Sequence, residues 1–407
     1  MLERFINTLY PLIEERSPLP VLYIPGAFMV LVFGYAIGPD PIRTTTISLL
    51  LVLFALRRPC YTVGNTAQDY GLSGWFIVFV LLFLDFSATN PRWVGRRDES
   101  SSRKDNESIT RRDPETWPQR LAWALRLATT LRGIGWDWEV KSVPRHLEAD
   151  FSRLKFVGKR MLDLALHTLV KLISLYIIGF CGAIQQDAPS SSPWMGWLLR
   201  VVENWCGAIW SWNTVGVGYV AISAIAVLLG MSEPWEWPPI LNSVATATSV
   251  RRTWSVAYHQ ILRRTVQQPG IRLARLLGFK KGSIPSRYIQ LYLAFYISFC
   301  IHWWQQYVIT RGDKGEFAFF MMQPLVITLE DSVQWVWRNA INPKRKQDLL
   351  WFEIAVGYAW TFTAFAFTLT PFVKGMVATG IIGGSPEDAI AMLLGQRHGA
   401  KYLQYWH

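Results

Sequence analysis

His302 has the clearest capacity for chemistry in this 407-residue sequence. It lies in the apolar run IQLYLAFYISFCIHWWQQYVI, about 14 residues into a predicted membrane span and hence roughly 21 Å along it. An ionisable side chain is costly in hydrocarbon, so its presence there indicates function by default. A neutral imidazole can accept a proton as a general base. The alternative is structural, because an imidazole can also link two helices by a hydrogen bond.

Other titratable residues lie nearer the predicted membrane surface. His259 occurs in SVRRTWSVAYHQILRR, where apolar and aromatic residues alternate with arginines, and this pattern predicts a basic interfacial helix. Asp163, His167 and Lys171 are spaced four residues apart and share one helix face. They fall in the first turns of a predicted span, where side chains reach the interface by snorkelling. We therefore favour a structural role for these three.

The elements that position these residues are long apolar blocks. A helix needs roughly 20 residues to cross a bilayer, and two of the blocks, 44–56 and 317–329, are shorter than that. The pattern predicts an all-α, polytopic integral membrane bundle of about eight transmembrane helices. The blocks cover residues 19–38, 44–56, 72–89, 162–184, 208–230, 288–309, 317–329 and 349–376.

The positive charge is concentrated in two polar segments. Residues 91–160 contain 16 Lys or Arg against 10 Asp or Glu, and residues 231–287 contain 9 against 2. Because positively charged loops stay in the cytosol, both are predicted to be cytosolic. The predicted organisation is N-terminal transmembrane helices at 1–90, a cytosolic loop at 91–160 and a transmembrane core at 161–407 that includes an amphipathic segment at 231–287.

The first polar segment has two parts with different patterns. Residues 98–113 are polar with mixed charge, which predicts disorder. Residues 117–131 space leucines among arginines, a pattern typical of an amphipathic helix lying on the bilayer surface.

Composition excludes several functional classes. Only 17% of residues are charged, against about a quarter in soluble proteins, and the loop charges account for the net charge of +12 without a nucleic-acid partner. The four cysteines lack CxxC spacing, so neither disulfides nor a metal site is predicted. The sequence has no GxSxG, glycine-rich phosphate loop or HExxH, which argues against a serine hydrolase, a nucleotide-hydrolysing pump and a zinc protease.

Three segments together resemble the wax synthase-like branch of membrane-bound O-acyltransferases, and within it the fungal acetyltransferases that modify terpenoids and meroterpenoids. LRGIGWDWE at residues 131–139 is similar to the family's RGIGW element. SVRRTWSVAYHQ at 249–260 is similar to SLRxFWGRxWHQ, and FYISFCIH at 295–302 is similar to FxxSGxxH. The matching residues are Arg132, Trp136, Ser249, Arg251, Trp254, His259, Gln260, Phe295, Ser298 and His302.

The sequence departs from these patterns at several positions. Thr253, Ser255, Val256 and Tyr258 replace the family's aromatic, glycine, arginine and tryptophan, and Phe299 replaces the glycine of the last motif. Such departures affect the predicted fold less than the predicted chemistry. They keep open a terpenoid cyclase or isomerase that uses His302 as a proton donor. A transporter is the other alternative, although no inverted repeat is visible.

The resemblance implies transfer of an acyl group, specifically acetyl, from acyl-CoA to a hydroxyl of a lipophilic secondary metabolite. His302 would be the general base, and His259 with Gln260 would orient the donor or stabilise the oxyanion. No cofactor would be bound permanently, because acetyl-CoA is a co-substrate. The implied location is the endoplasmic reticulum membrane. Substrate contacts are expected from Gln260, Trp254, Ser298, Arg132 and Trp136.

A cluster of arginines predicts where the acyl donor enters. Acyl-CoA carries several phosphate charges and approaches from the cytosol, so it requires a positive entrance. The alternative is that these charges set topology and contact anionic lipid. The arginines are Arg251, Arg252, Arg263 and Arg264.

Overall fold

A computed structural model of the chain describes residues 9–38, 40–89, 91–96, 116–144, 146–187, 193–341, 351–384 and 386–404, and most of them are helical. The predicted disordered segment 98–113 lies outside the described residues. The α-helices are α1 (Tyr23–Ile37), α2 (Pro41–Arg57), α3 (Thr66–Ser87), α4 (Trp117–Thr129), α5 (Arg153–Asp187), α6 (Pro193–Leu228), α7 (Val250–Arg252), α8 (Arg263–Leu276), α9 (Ile284–Thr310), α10 (Glu316–Val336), α11 (Trp351–Thr368), α12 (Thr370–Ala378) and α13 (Pro386–Gln404).

Short elements connect the helices. Strands β1 (Ser17–Pro18) and β2 (Tyr61–Thr62) pair in parallel, with Ser17 opposite Tyr61 and Pro18 opposite Thr62. The remaining elements are 3₁₀ turns at Ile13–Glu15, Arg58–Cys60, Pro234–Glu236 and Val244–Thr246, and π-helical segments at Thr253–Ala257 and Trp337–Ile341.

Every apolar block predicted to be a span coincides with a helix, so the all-α prediction is confirmed. Among the described residues, three helices are long and apolar enough to cross a membrane: α3, α5 and α6. A fourth arises if α11 and α12, bent by 43° at a short break, form one span. Helix α1 is apolar but shorter. The count of about eight crossings therefore stays a prediction.

The chain divides into two compact units, and the first comprises Met1–Val143 and Gln260–Gly312. Its core is built mainly on α1 and α3, whose buried residues include Leu31, Phe76 and Phe83. Helix α4 starts with a capping box between Thr116 and Gln119. Its apolar face contributes Ala124, Leu127 and Ala128 to this core, so much of the face predicted to rest on the bilayer surface contacts protein instead.

The second unit comprises Pro144–His259 and Asp313–His407. Helices α5, α6 and α13 pack together, and α13 was not predicted from the sequence. Glycines allow the close approach of α13 to α5: a Cβ on Gly395 would lie 2.1 Å from the Tyr176 carbonyl oxygen, and one on Gly179 would lie 2.3 Å from that of Met392. Small residues at such contacts are the usual means by which membrane helices approach closely.

The predicted basic interfacial helix around His259 is wrong as a continuous element. Helix α7 passes directly into the π-helical segment, which ends where Tyr258 takes an extended conformation with ψ of 162°. The backbone N–H of Tyr258 donates to the carbonyl of Thr253, closing the last turn. Helix α8 begins only at Arg263. His259 therefore lies in a non-helical link that the amphipathic pattern did not indicate.

Candidate functional site

His302 lies on α9 in the first unit and contacts a tyrosine from α3. The hydroxyl oxygen of Tyr70 is 2.8 Å from His302 Nδ1, within hydrogen-bond distance. The two rings are tilted by 32°, with centroids 6.3 Å apart. The imidazole is therefore held by a side chain that is 232 residues away in sequence.

The other residues of the FYISFCIH segment have structural contacts. Ser298 Oγ donates to the carbonyl of Ala294 at 2.9 Å, one turn earlier on α9, a common arrangement for serine within a helix. Phe295 is buried. The substrate contact implied for Ser298 stays a prediction, because in this structure its hydroxyl bonds to its own helix.

Gln306 follows His302 by one helical turn and hence shares its face of α9. Its side chain is fully buried. Among the residues that the structure describes, neither the amide nitrogen nor the amide oxygen of Gln306 has a hydrogen-bond partner. A buried amide without partners costs roughly 1–3 kcal/mol. This polar group on the histidine face was not singled out from the sequence.

The RGIGW element forms a tight turn that only glycine allows. Gly133 and Gly135 have positive φ angles of 68° and 76°, and a Cβ on Gly133 would lie 2.5 Å from the ring of Trp138. Arg132 and Trp136 are both buried. The Trp136 ring makes edge contacts with Trp93 and Trp123. Trp136 thus occupies the core of the unit, and its predicted substrate contact stays a prediction.

Residues just after the RGIGW element and the start of α8 line one cavity of about 220 Å³. The side chains of Lys141, Arg263 and Arg264 give this cavity positive charge, and none of its lining residues is acidic. Gln267, Gln268, Trp138 and Val140 complete the lining. Cationic groups beside neutral amide donors suit a ligand with anionic groups.

Arg263 is fixed by neutral partners at the rim of this cavity. Its Nη1 donates to Ser142 Oγ at 2.5 Å and to Gln260 Oε1 at 2.8 Å. Burial lowers the pKa of the Arg263 guanidinium, since an apolar environment disfavours the charged form. Gln260 is itself buried, and its contact with Arg263 links two residues predicted from the sequence to bind substrate.

Arg264 is instead part of an ion-pair group. Its Nε donates to Asp85 Oδ2 at 2.5 Å, and Arg272 Nη2 donates to Asp85 Oδ1 at 2.5 Å. The guanidinium also lies over the rings of Phe86 and Trp138, with centroids 4.8 and 4.9 Å away. Two arginines sharing one carboxylate leave this part of the unit with net positive charge.

In the second unit, α7 starts at a buried glutamate. Glu330 Oε2 accepts from the backbone N–H of Val250 at 2.8 Å and from Trp360 Nε1 at 3.1 Å. A carboxylate at a helix start satisfies N–H groups that have no helical partner. Arg251 forms a two-point ion pair with Asp331, and Arg252 Nε donates to the Thr246 carbonyl at 3.1 Å. These two arginines therefore already have structural contacts.

Trp254 and His259 lie among aromatic rings. Trp254 Nε1 donates to Gln323 Oε1 at 3.1 Å, and its ring makes an edge contact with Tyr258. The His259 ring lies against Tyr258, with centroids 4.2 Å apart. Burial raises the pKa of Tyr258 to about 12, so the phenol stays neutral at physiological pH.

The polar residues Asp163, His167 and Lys171 on α5 all contact neighbouring side chains. Asp163 pairs with Lys159 and Arg160. His167 Nδ1 lies 2.8 Å from Asn213 Oδ1 on α6, and Lys171 pairs with the buried Asp388 of α13 at 3.0 Å. These contacts link α5 to its neighbours, in agreement with the structural interpretation.

Comparisons with known proteins agree with the motifs. The model of the membrane bound O-acyl transferase family matches residues 237–322, which contain both histidine segments. The acetyltransferase ple2 of Rhodocybe pseudopiperita is 29% identical over 94% of this chain and 96% of its own length. The acetyltransferase eriL of Hericium erinaceus is 30% identical over 65% of this chain and 68% of its own. The O-Mevalon transferase macI of Penicillium terrestre is 30% identical over 54% of each chain.

These likenesses separate the alternatives left open by the sequence. The relatives transfer acyl groups, and their similarity extends well beyond the histidine motifs, over nearly the whole of this chain for ple2. A cyclase, an isomerase and a transporter are not among the functions that they carry. The chain belongs to the membrane-bound O-acyltransferase family and is an O-acyltransferase.

Proposed function

We propose that this protein transfers an acetyl group from acetyl-CoA to a hydroxyl of a lipophilic secondary metabolite of the terpenoid or meroterpenoid class, with His302 as general base. The observation that carries the proposal is His302 itself, an imidazole on an apolar helix, oriented by Tyr70 at 2.8 Å. The names of ple2 and eriL support acetyl as the transferred group.

In the proposed reaction, His302 takes a proton from the acceptor hydroxyl and later gives it to the leaving sulfur. Nε2 of the neutral imidazole accepts the proton of the acceptor's O–H as the oxygen attacks the thioester carbonyl carbon. The carbon–sulfur bond then breaks, and the imidazolium returns the proton to the sulfur, which yields the ester and free CoA thiol. His259 is proposed to orient the donor or stabilise the oxyanion, with Gln260 positioned through its bond with Arg263.

Incubation of microsomes that contain the protein with radiolabelled acetyl-CoA and a hydroxylated terpenoid tests the proposed activity. Label is expected in an ester, with one CoA released per ester formed. Rearrangement of the terpenoid without CoA release would contradict the proposal. Labelled mevalonyl-CoA as a second donor tests the acyl group, because macI is named for mevalon transfer.

The cavity beside the RGIGW element is proposed to bind phosphate groups of the acyl donor. It presents the side chains of Lys141, Arg263 and Arg264 and no acidic residue. Guanidinium and ammonium groups form charge-assisted hydrogen bonds with phosphate. Arg264 is already paired with Asp85, so Lys141 and Arg263 are the stronger candidates for this role. Arg251 is paired with Asp331 and does not line the cavity.

Replacing Lys141 with alanine is therefore expected to raise the KM for acetyl-CoA by about 3- to 10-fold at low salt with little change in kcat, since it removes one phosphate contact. The difference is expected to shrink at high salt, because Lys141 is exposed and its charge is screened. Lys155→Ala is the matched control, since that ammonium lies over the Phe151 ring in the other unit. An unchanged KM for Lys141→Ala would remove this cavity from donor binding.

Gln306 is proposed to bind a polar substrate atom near His302. Its amide is buried and lacks partners among the described residues, and binding the reacting carbonyl or the acceptor hydroxyl would satisfy it. Nε2 of the amide is a suitable donor for a developing oxyanion.

Replacing Gln306 with leucine is expected to lower kcat by about 10-fold or more while leaving the melting temperature unchanged or raised, because it removes a buried amide whose atoms have no protein partner. Activity and thermal unfolding in detergent are measured on the same preparation. Thr368→Val in the second unit is the control, since Thr368 is buried and its Oγ1 has no hydrogen-bond partner among the described residues. A fall in stability together with activity would assign Gln306 a structural role instead.

The membrane arrangement is proposed from the helices. Eight apolar helical blocks support about eight crossings. They place transmembrane helices within 1–90 and 161–407, and the basic segments 91–160 and 231–287 in the cytosol. Residence in the endoplasmic reticulum suits an enzyme that combines cytosolic acetyl-CoA with a membrane-soluble acceptor.

A further inference from the structure

Tyr70 contacts His302 through its hydroxyl group, and no sequence motif contains it. Its hydroxyl oxygen lies 2.8 Å from Nδ1 of the imidazole. Tyr70 is 7% exposed and is located in the first turns of α3. The contact therefore joins α3 to the part of α9 that carries the proposed base.

The backbone of Tyr70 is itself tightly held. Gln305 Nε2 on α9 donates to the Tyr70 carbonyl at 3.1 Å. A Cβ on Gly74, one turn further along α3, would lie 2.8 Å from the Gln305 amide, so the two helices are in close contact there. The backbone that carries the Tyr70 hydroxyl to His302 is thus closely packed and hydrogen-bonded against α9.

The residue before Tyr70 anchors the start of α3. Asp69 is 1% exposed, and its Oδ1 accepts from Arg58 Nη2 at 2.6 Å and from the Val63 backbone N–H at 3.0 Å. This buried ion pair fixes α3 to the turn that follows α2. Tyr70 is therefore constrained on both sides, by Asp69 toward β2 and by Gln305 toward α9.

A neutral imidazole carries its proton on one of its two nitrogens, and the partner of one nitrogen determines the role of the other. We propose that Tyr70 is a positioning residue that keeps neutral His302 in the Nδ1–H form, with Nδ1–H donating to the phenol oxygen, so that Nε2 is the atom that accepts the acceptor's proton. This inference rests on the proposed role of His302 as general base. When Nε2 becomes protonated, the Nδ1–H bond to Tyr70 persists and stabilises the imidazolium.

The first test removes only the hydroxyl. Tyr70→Phe keeps the ring and is expected to lower kcat by about 10- to 100-fold, the loss typical of a hydrogen bond to a group that becomes charged, with the KM for acetyl-CoA changed by less than about 2-fold. Tyr35→Phe is the matched control, because Tyr35 is also a buried tyrosine of this unit and its hydroxyl has no partner among the described residues. Its kcat is expected to stay at the unmodified value.

A double variant distinguishes positioning from a direct role. If Tyr70 acts through the imidazole, Tyr70→Phe has no further effect in a His302→Ala background. An additional loss in that background, or an unchanged kcat for Tyr70→Phe alone, would overturn the assignment of Tyr70 while leaving the proposed base intact. Full activity of His302→Ala would instead refute the proposed base.

The unmodified protein provides a test that does not depend on how a variant folds. Nitrogen-15 spectra of histidine-labelled protein, with the His302 signals assigned by their loss in His302→Ala, report which ring nitrogen is protonated. A protonated Nδ1 and an unprotonated Nε2 are expected. The opposite tautomer would overturn the proposal.

Discussion

Replacing His302 with alanine is expected to lower ester formation by about 100- to 10,000-fold, the usual contribution of a well-placed general base. Without the imidazole, no group on this face of α9 that the structure describes can take the hydroxyl proton at neutral pH, since the neighbouring Gln306 amide is not a base. The initial rate of CoA release with purified protein in detergent measures the effect. The KM for acetyl-CoA is expected to change little, because the cavity proposed to bind the donor is lined by other residues.

Two further substitutions make this test specific. His302→Gln retains a side chain that can bond to Tyr70 but cannot act as a base, so it separates catalysis from the structural role left open by the sequence. It is expected to be as inactive as the alanine variant. His398→Ala is the control, because His398 is exposed on α13 and lies in the second unit. Its Nδ1 is 2.7 Å from the Leu394 carbonyl oxygen, and its ring lies against Tyr176. Activity retained by His302→Gln would establish the imidazole as a link between helices instead.

Replacing Arg58 with methionine is expected to lower the free energy of unfolding by about 3 kcal/mol, because it removes the nearer of two cations that pair with the buried carboxylate of Asp69. Arg16 remains, with its Nη1 3.8 Å from Asp69 Oδ2. Arg58 and Asp69 are 0% and 1% exposed, and the guanidinium also donates to the Tyr61 carbonyl at 2.7 Å. No solvent can replace these contacts. The destabilisation is measured by thermal unfolding in detergent, monitored as the loss of the monodisperse size-exclusion peak on heating.

The comparison for this variant is an exposed ion pair of similar geometry. Arg153 and Glu233 are 2.6 Å apart but half exposed, so Arg153→Met is expected to cost less than about 1 kcal/mol. Because Asp69 precedes Tyr70, Arg58→Met is also expected to lower kcat in the fraction that remains folded. Equal effects of Arg58→Met and Arg153→Met would show that the Arg58–Asp69 pair does not stabilise the first unit.

The helices were predictable from the sequence because a long apolar block in a membrane must satisfy its backbone hydrogen bonds internally, as an α-helix does. The blocks at 72–89 and 162–184 coincide with α3 and α5, although α5 starts nine residues earlier, in a stretch whose charges concealed it. Helix α13 was missed because its hydropathy is close to neutral and its burial against α5 depends on glycines that approach a neighbouring backbone.

Residues of the candidate site could be predicted only where one short segment contains both an unusual residue type and a recognisable pattern. His302 was identified because it is ionisable within an apolar run. Tyr70 could not be, since a tyrosine near the start of an apolar helix is ordinary and its partner lies 232 residues away. Pairing of Arg264 with Asp85 was hidden for the same reason. The break after Tyr258 escaped notice because apolar residues and arginines alternate on both sides of it, as far as Arg263 and Arg264.

Helix α5 is considerably longer than a bilayer requires. Its 35 residues extend about 52 Å, whereas the hydrocarbon layer is about 30 Å thick. Even when tilted, such a helix carries several turns into the headgroup region or beyond. Lys159 and Arg160 near its start are paired with Glu148 and Asp163, whereas Lys155 in the first turn is exposed. An ammonium at this point can contact phospholipid phosphates and would help to set the depth at which the second unit lies in the membrane.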